Sequence, residues 1–153
     1  MEFISHSLFN DANCQHYYRM EGNSNDSKGA VNGTDTDMSY NATNGRYGQG
    51  AIFDGTDDKI ALTNAASLNS TNFTYLAWIN ITNNTIARDV FASENVTNAR
   101  QWYIGTDGKI NLAKTNVVTF ATSTTAVPTG SYQHVAVTYD GTDAKFYLNG
   151  VAD

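Results

Sequence analysis

The side chains that most enzymes use for covalent or acid–base work are sparse and scattered in this chain. Glutamate occurs at Glu2, Glu21 and Glu94, far apart in sequence. No strand therefore pairs two of them across the roughly 5 Å that retaining glycoside cleavage requires. His6, His16 and His134 lack the spacing that would bring imidazoles to one metal. No Ser–His–Asp order, zinc motif, P-loop or dinucleotide fingerprint appears. Cys14 is the one cysteine, so no intrachain disulfide can form, and its alternating surroundings suit a small core residue better than a nucleophile. These absences read as a non-catalytic protein. Binding chemistry is better supplied. Trp102, Tyr103, Tyr47 and Tyr40 are candidates for stacking on the C–H face of a pyranose, with Asn and Asp of nearby loops to meet its hydroxyls. The competing role for each ring is ordinary packing. Trp102 and Tyr103 are neighbours in an extended stretch, so only one of the two can face a core.

Short strands must position these groups. Helical periodicity is almost absent, with room for one turn between Ala61 and Leu68. Alternation instead predicts strands over 14–20, 50–55, 59–63 and 73–82, more weakly over 89–93, and with less definition near 36–40. Large apolar groups on both faces of 73–82 predict a central strand with Trp78 buried between layers. Residues 101–114 read as a hairpin turning at Asp107-Gly108, followed by a strand at 117–122. Residues 132–140 and 144–149 read as a second hairpin across Asp140-Gly141-Thr142-Asp143. Asn149-Gly150 then predicts a tight turn, because both residues accept positive φ cheaply. Pro128 stands in a loop, where its missing N–H costs least. An isolated sheet would leave one apolar face wet, so many such strands predict an all-β, antiparallel two-sheet sandwich of jelly-roll type.

The chain has 153 residues, a formal charge of −6, 41% hydrophobic and 16% charged residues. That composition suits one folded domain and argues against global disorder. Lys and Arg stand singly throughout, which excludes the basic footprint of a nucleic-acid binder. The N-terminus lacks the basic and apolar runs of a signal peptide, and no stretch approaches membrane-spanning length.

Three stretches carry a resemblance. "YYRMEGNSNDSKGAVNGT", "GRYGQGAIFDGTDDKIAL" with "FTYLAWI", and "GSYQHVAVTYDGTDAKFYLNGV" occur in order and at fitting intervals. Together they resemble a laminin-G-like domain of the concanavalin A-like lectin and glucanase superfamily, over about residues 14–153, after an N-terminal extension of 1–13. Tyr132-Gln133 stands where the family usually has Trp beside the His. The resemblance implies a jelly-roll sandwich and a recognition role, most simply for carbohydrate, within a larger bacterial or phage surface protein. The alternative is an adhesive or structural sandwich that binds protein. Either places the chain outside the cell, on a cell surface or on a virion.

Related domains often hold one Ca²⁺ at the sandwich rim, and hard oxygen ligands suit it. The resemblance therefore marks Asp26, Asp54, Asp57, Asp58, Asp140 and Asp143, all in predicted loops, as candidate ligands. Their competing role is to cap backbone N–H groups in turns. Family members continue past the Asn-Gly turn with further strands, so the resemblance also implies a sandwich incomplete at its C-terminus. Exposed strand edges would then invite a second copy of the chain. His134, at the head of an apolar strand, reads as a hydrogen-bonded structural residue.

Overall fold

Alternating side chains force extended segments to pair and to bury one face. The computed structural model of the protein follows that rule across residues 11–63, 66–93, 99–114 and 117–153, the residues it describes. Glu2, His6 and Glu94 lie outside them, as does most of the expected N-terminal extension. Every strand pairing is antiparallel, and the one helical element among the described residues is a 3₁₀ turn, Ala66–Asn69. No helix there is long and apolar enough to cross a membrane. The chain divides into two compact units, residues 1–68 and 69–153.

In the first unit β1 (Gly33–Thr36) pairs with β4 (Lys59–Leu62), and β2 (Ser39–Asn41) with β3 (Gly50–Ile52). The strand expected over 14–20 does not form. A single bridge, Tyr18 to Asp26, stands there instead. Asp26 organises this segment: its carboxylate accepts hydrogen bonds from the backbone N–H of Tyr17, Lys28, Gly29 and Val31 at 3.1, 3.0, 2.9 and 3.3 Å. A side chain that gathers this many N–H groups draws the backbone into a loop and leaves no ladder for a neighbouring strand.

The second unit holds two four-stranded sheets. One has the order β12–β11–β10–β5, from β5 (Phe73–Ile79), β10 (Gln133–Tyr139), β11 (Ala144–Leu148) and β12 (Val151–Ala152). The other runs β6–β7–β8–β9, from β6 (Arg88–Ala92), β7 (Arg100–Ile104), β8 (Lys109–Lys114) and β9 (Val117–Ala126). The inner face of the first contributes Val135, Val137 and Phe146; that of the second contributes Trp102, Ile104, Ile110 and Leu112. These form one apolar cluster, and Tyr75 of β5 bridges the layers by meeting Phe91 at 5.0 Å and Trp102 at 6.1 Å between ring centroids. This is the two-sheet sandwich that the alternation predicts.

The turns match their sequence signals. Asn149 and Gly150 have φ of 53° and 81°, and Leu148 pairs with Val151 across them, so β12 is the strand that the Asn-Gly turn promises. The Asn149 side chain fixes the register by accepting from His134 N–H at 3.0 Å and donating to Gln133 Oε1 at 2.7 Å.

One placement differs from expectation. Trp78 is 42% exposed, as is Leu76, because β5 stands last in its sheet order and turns Phe73, Tyr75, Ala77 and Ile79 inward. Trp78 lies on the outer face, edge-on to His134 at 5.2 Å between centroids. Trp102 fills the space between the layers instead.

Candidate functional site

Strand parity decides which aromatic rings can meet a ligand. Trp102 is 2% exposed, a core residue that no sugar can reach, so burial removes it from the stacking candidates. Tyr103, one residue on, points to the opposite face of the same sheet and is half-buried. In register with it are Asp89 of β6 and Asn111 of β8. On the same face, Gln101 Nε2 donates to Asp89 Oδ1 at 2.7 Å, and Thr122 Oγ1, on the strand beyond β8, donates to Asn111 Oδ1 at 2.8 Å. Asp89, Gln101 and Thr122 are exposed, and Asn111 is buried. The outer face of this sheet thus presents one phenol ring among carboxylate, amide and hydroxyl groups.

Tyr40 and Tyr47 belong to the first unit. Tyr40 donates its hydroxyl to Asp35 Oδ2 at 2.9 Å. Burial, then the Asp35 hydrogen bond and charge, push the phenol up to about 12. That ring is held in place. Tyr47 is 70% exposed, with the Arg46 guanidinium 4.8 Å from its ring centroid.

The six aspartates separate into three groups. Asp54, Asp57 and Asp58 come together, each offering a carboxylate oxygen within 4.8 Å of the others. Two ligand oxygens on opposite sides of a Ca²⁺ ion stand about 4.6–5.2 Å apart, so the spacing of the three carboxylates is compatible with that ion, which takes about six to eight oxygens in all. Local bonds already shape the loop: Asp54 N–H donates to Asp58 Oδ2 at 2.6 Å and Thr56 N–H to Asp54 Oδ1 at 2.7 Å. Asp140 and Asp143 lie in the β10–β11 turn, where Asp140 Oδ1 accepts from Thr142 and Asp143 N–H at 2.9 and 2.8 Å. Asp140 is a turn cap. Asp26 is 8% exposed and both its oxygens are occupied by N–H donors, so it cannot serve a cation without dismantling its loop.

One grouping escapes the sequence pattern altogether. His16 Nδ1 lies 2.6 Å from Asp26 Oδ2, and His16 Nε2 lies 2.5 Å from Ser67 Oγ. Burial would raise the Asp26 pKa, but the hydrogen bonds from His16 and from Gly29, Tyr17 and Lys28 outweigh it and hold the group below the usual carboxylate range. An ionised carboxylate only accepts, so Nδ1 carries the proton of this bond, and in the neutral ring Nε2 accepts from the Ser67 hydroxyl. The three residues are scattered over 51 positions in the order His, Asp, Ser, and no spacing rule links them.

The fold and these faces define a class: an antiparallel β-sandwich with loops at its strand ends and no paired glutamates among its described residues. The model of the family described as the concanavalin A-like lectin/glucanases superfamily, of laminin-G type, matches residues 54–153. The chain belongs to that superfamily. Among solved structures it is similar to residues 221–444 of an S-layer domain-containing protein from Clostridium thermocellum ATCC 27405. The two share 25% identity at a TM-score of 0.52, covering 90% of this chain and 70% of that one. No curated protein matches the chain.

Proposed function

We propose that the chain is a recognition module of a surface protein that binds carbohydrate on the outer face of the β6–β9 sheet. Residues 14–153 would form the domain, after an extension of 1–13. The observation that carries the reading is Tyr103: a half-buried aromatic ring on the outer sheet face, in register with the exposed Asp89 and on the same face as the exposed Gln101 and Thr122. A ring of this kind covers sugar C–H groups while its neighbours take the hydroxyls. Superfamily membership and the likeness to an S-layer domain-containing protein support a module that works outside the cell, at a surface. The three glutamates, Glu2, Glu21 and Glu94, stand far apart in sequence, which favours binding over glycoside cleavage. A Ca²⁺ ion would be held by Asp54, Asp57 and Asp58, where it would brace the loop entering β4.

A glycan array followed by titration calorimetry tests the reading. Wild-type protein is expected to give a defined glycan signal, and Tyr103→Ala to weaken it about tenfold, or ~1.4 kcal/mol. Silence across the array, or a Tyr103→Ala affinity equal to wild type, would overturn it.

A second reading rests on a different observation. Leu76 and Trp78 are both 42% exposed on the outer face of the β12–β5 sheet, where an adhesive partner protein, or another copy of the chain, would dock. In that case Trp78→Ala, not Tyr103→Ala, would abolish binding. Light scattering behind size exclusion would read any self-association.

A further inference from the structure

Three side chains in the first unit have the connectivity of an activated nucleophile: a carboxylate on one imidazole nitrogen, a serine hydroxyl on the other. We propose that Ser67, His16 and Asp26 form an acyl-transfer centre in which Ser67 Oγ attacks esters of small acyl groups.

Each part is held for that role. Asp26 is fixed by four backbone N–H groups, so its Oδ2 has a set position from which to orient His16. The loop closes tightly around that contact. A Cβ at Gly29 would stand 2.6 Å from Asp26 Oδ2, 2.8 Å from Gln15 O and 3.0 Å from His16 Nδ1, so only glycine lets the backbone approach the pair. With Nδ1–H committed to Asp26, the ring presents its Nε2 lone pair to Ser67 at 2.5 Å. Ser67 itself is exposed, which leaves its oxygen open to a substrate from solvent. The arrangement needs neither a metal nor a cofactor, and it is independent of any glycan on the β6–β9 sheet.

The chemistry balances without a further reactant except water. Ser67 Oγ attacks the ester carbonyl carbon while His16 Nε2 takes the hydroxyl proton. The C–O bond to the alcohol breaks, and the imidazolium returns that proton to the leaving oxygen. An acyl-serine remains. Water, deprotonated by His16, attacks the acyl carbon; the carboxylic acid leaves and Ser67 Oγ recovers its proton. Asp26 stays ionised and pairs with the transient imidazolium.

The test is covalent labelling of the full chain with a fluorophosphonate probe, read by intact mass and peptide mapping, beside p-nitrophenyl acetate turnover. Wild type is expected to gain one adduct, on Ser67, with loss of fluoride. Ser67→Ala changes an exposed side chain, so it should fold as wild type and gain no adduct. His16→Gln should label about 10²-fold more slowly or worse, as loss of a general base does. Its melting curve is recorded alongside. Folded wild-type protein that takes no adduct would overturn the proposal. So would an adduct that persists in Ser67→Ala, or a His16→Gln rate equal to wild type.

Discussion

Asp26 shows how one residue can define a loop. Burial alone would raise its pKa, yet hydrogen bonds to His16 and to backbone N–H groups prevail and depress it in the folded protein. A depressed carboxylate pKa contributes stability that is complete above the unfolded value near 3.8 and is lost as pH falls from there toward the folded value. Acid titration followed by circular dichroism should therefore show the first unit loosening below about pH 4. Asp26→Asn, which loses the charge and meets donors with an amide, should destabilise by about 2 kcal/mol, read by denaturant unfolding. The two tryptophans make a second residue-scale case. Trp102→Ala empties the core between the sheets and should cost about 3–5 kcal/mol. Trp78→Ala removes a ring that is already 42% exposed and should cost about 1 kcal/mol or less. The sequence could not separate them, since 73–82 carries large apolar groups at both parities and Trp102 stands beside another aromatic. Parity is resolved by which face of each sheet packs against the other layer, which is a tertiary property. If Asp54, Asp57 and Asp58 hold the ion, added Ca²⁺ raises the melting temperature and EDTA reverses it. A melting temperature indifferent to both would remove the site.

At the scale of elements, the turns were the most legible part of the chain. Asn149-Gly150, Asp107-Gly108 and the Asp140–Asp143 loop all fall where their residue types place them, because positive φ and side-chain capping are local properties. A Cβ at Gly150 would meet nothing within 4 Å, so the cost of Gly150→Ala should be the strain of an L side chain at φ 81°, about 1–2 kcal/mol, again by denaturant unfolding. The segment 14–20 was less legible. Its alternation is real, and His16 and Tyr18 do stack with ring centroids 6.4 Å apart. Alternation alone does not supply a partner strand, and the Asp26 carboxylate captures the N–H groups that a ladder would need. The His16–Asp26–Ser67 grouping was invisible for a related reason: it depends on where a loop and a 3₁₀ turn meet, which no periodicity encodes.

Across the whole molecule, the sandwich was legible because alternating strands have few ways to bury both inner faces, and the motifs at 45–62 and 130–151 add family-level specificity. The candidate binding surface was only half legible. The aromatic types were visible, but which ring stays in solvent follows from the packing of Trp102, Ile104, Ile110 and Leu112 against Val135, Val137 and Phe146. That division gives cohesion to the inner faces, and the proposed function puts recognition on an outer one. The most direct check is calorimetric titration of one array-positive glycan into wild type, Tyr103→Ala and Trp78→Ala. Recognition through the β6–β9 face predicts an affinity about tenfold weaker for Tyr103→Ala and unchanged for Trp78→Ala. Full affinity in Tyr103→Ala, with loss in Trp78→Ala, would contradict it.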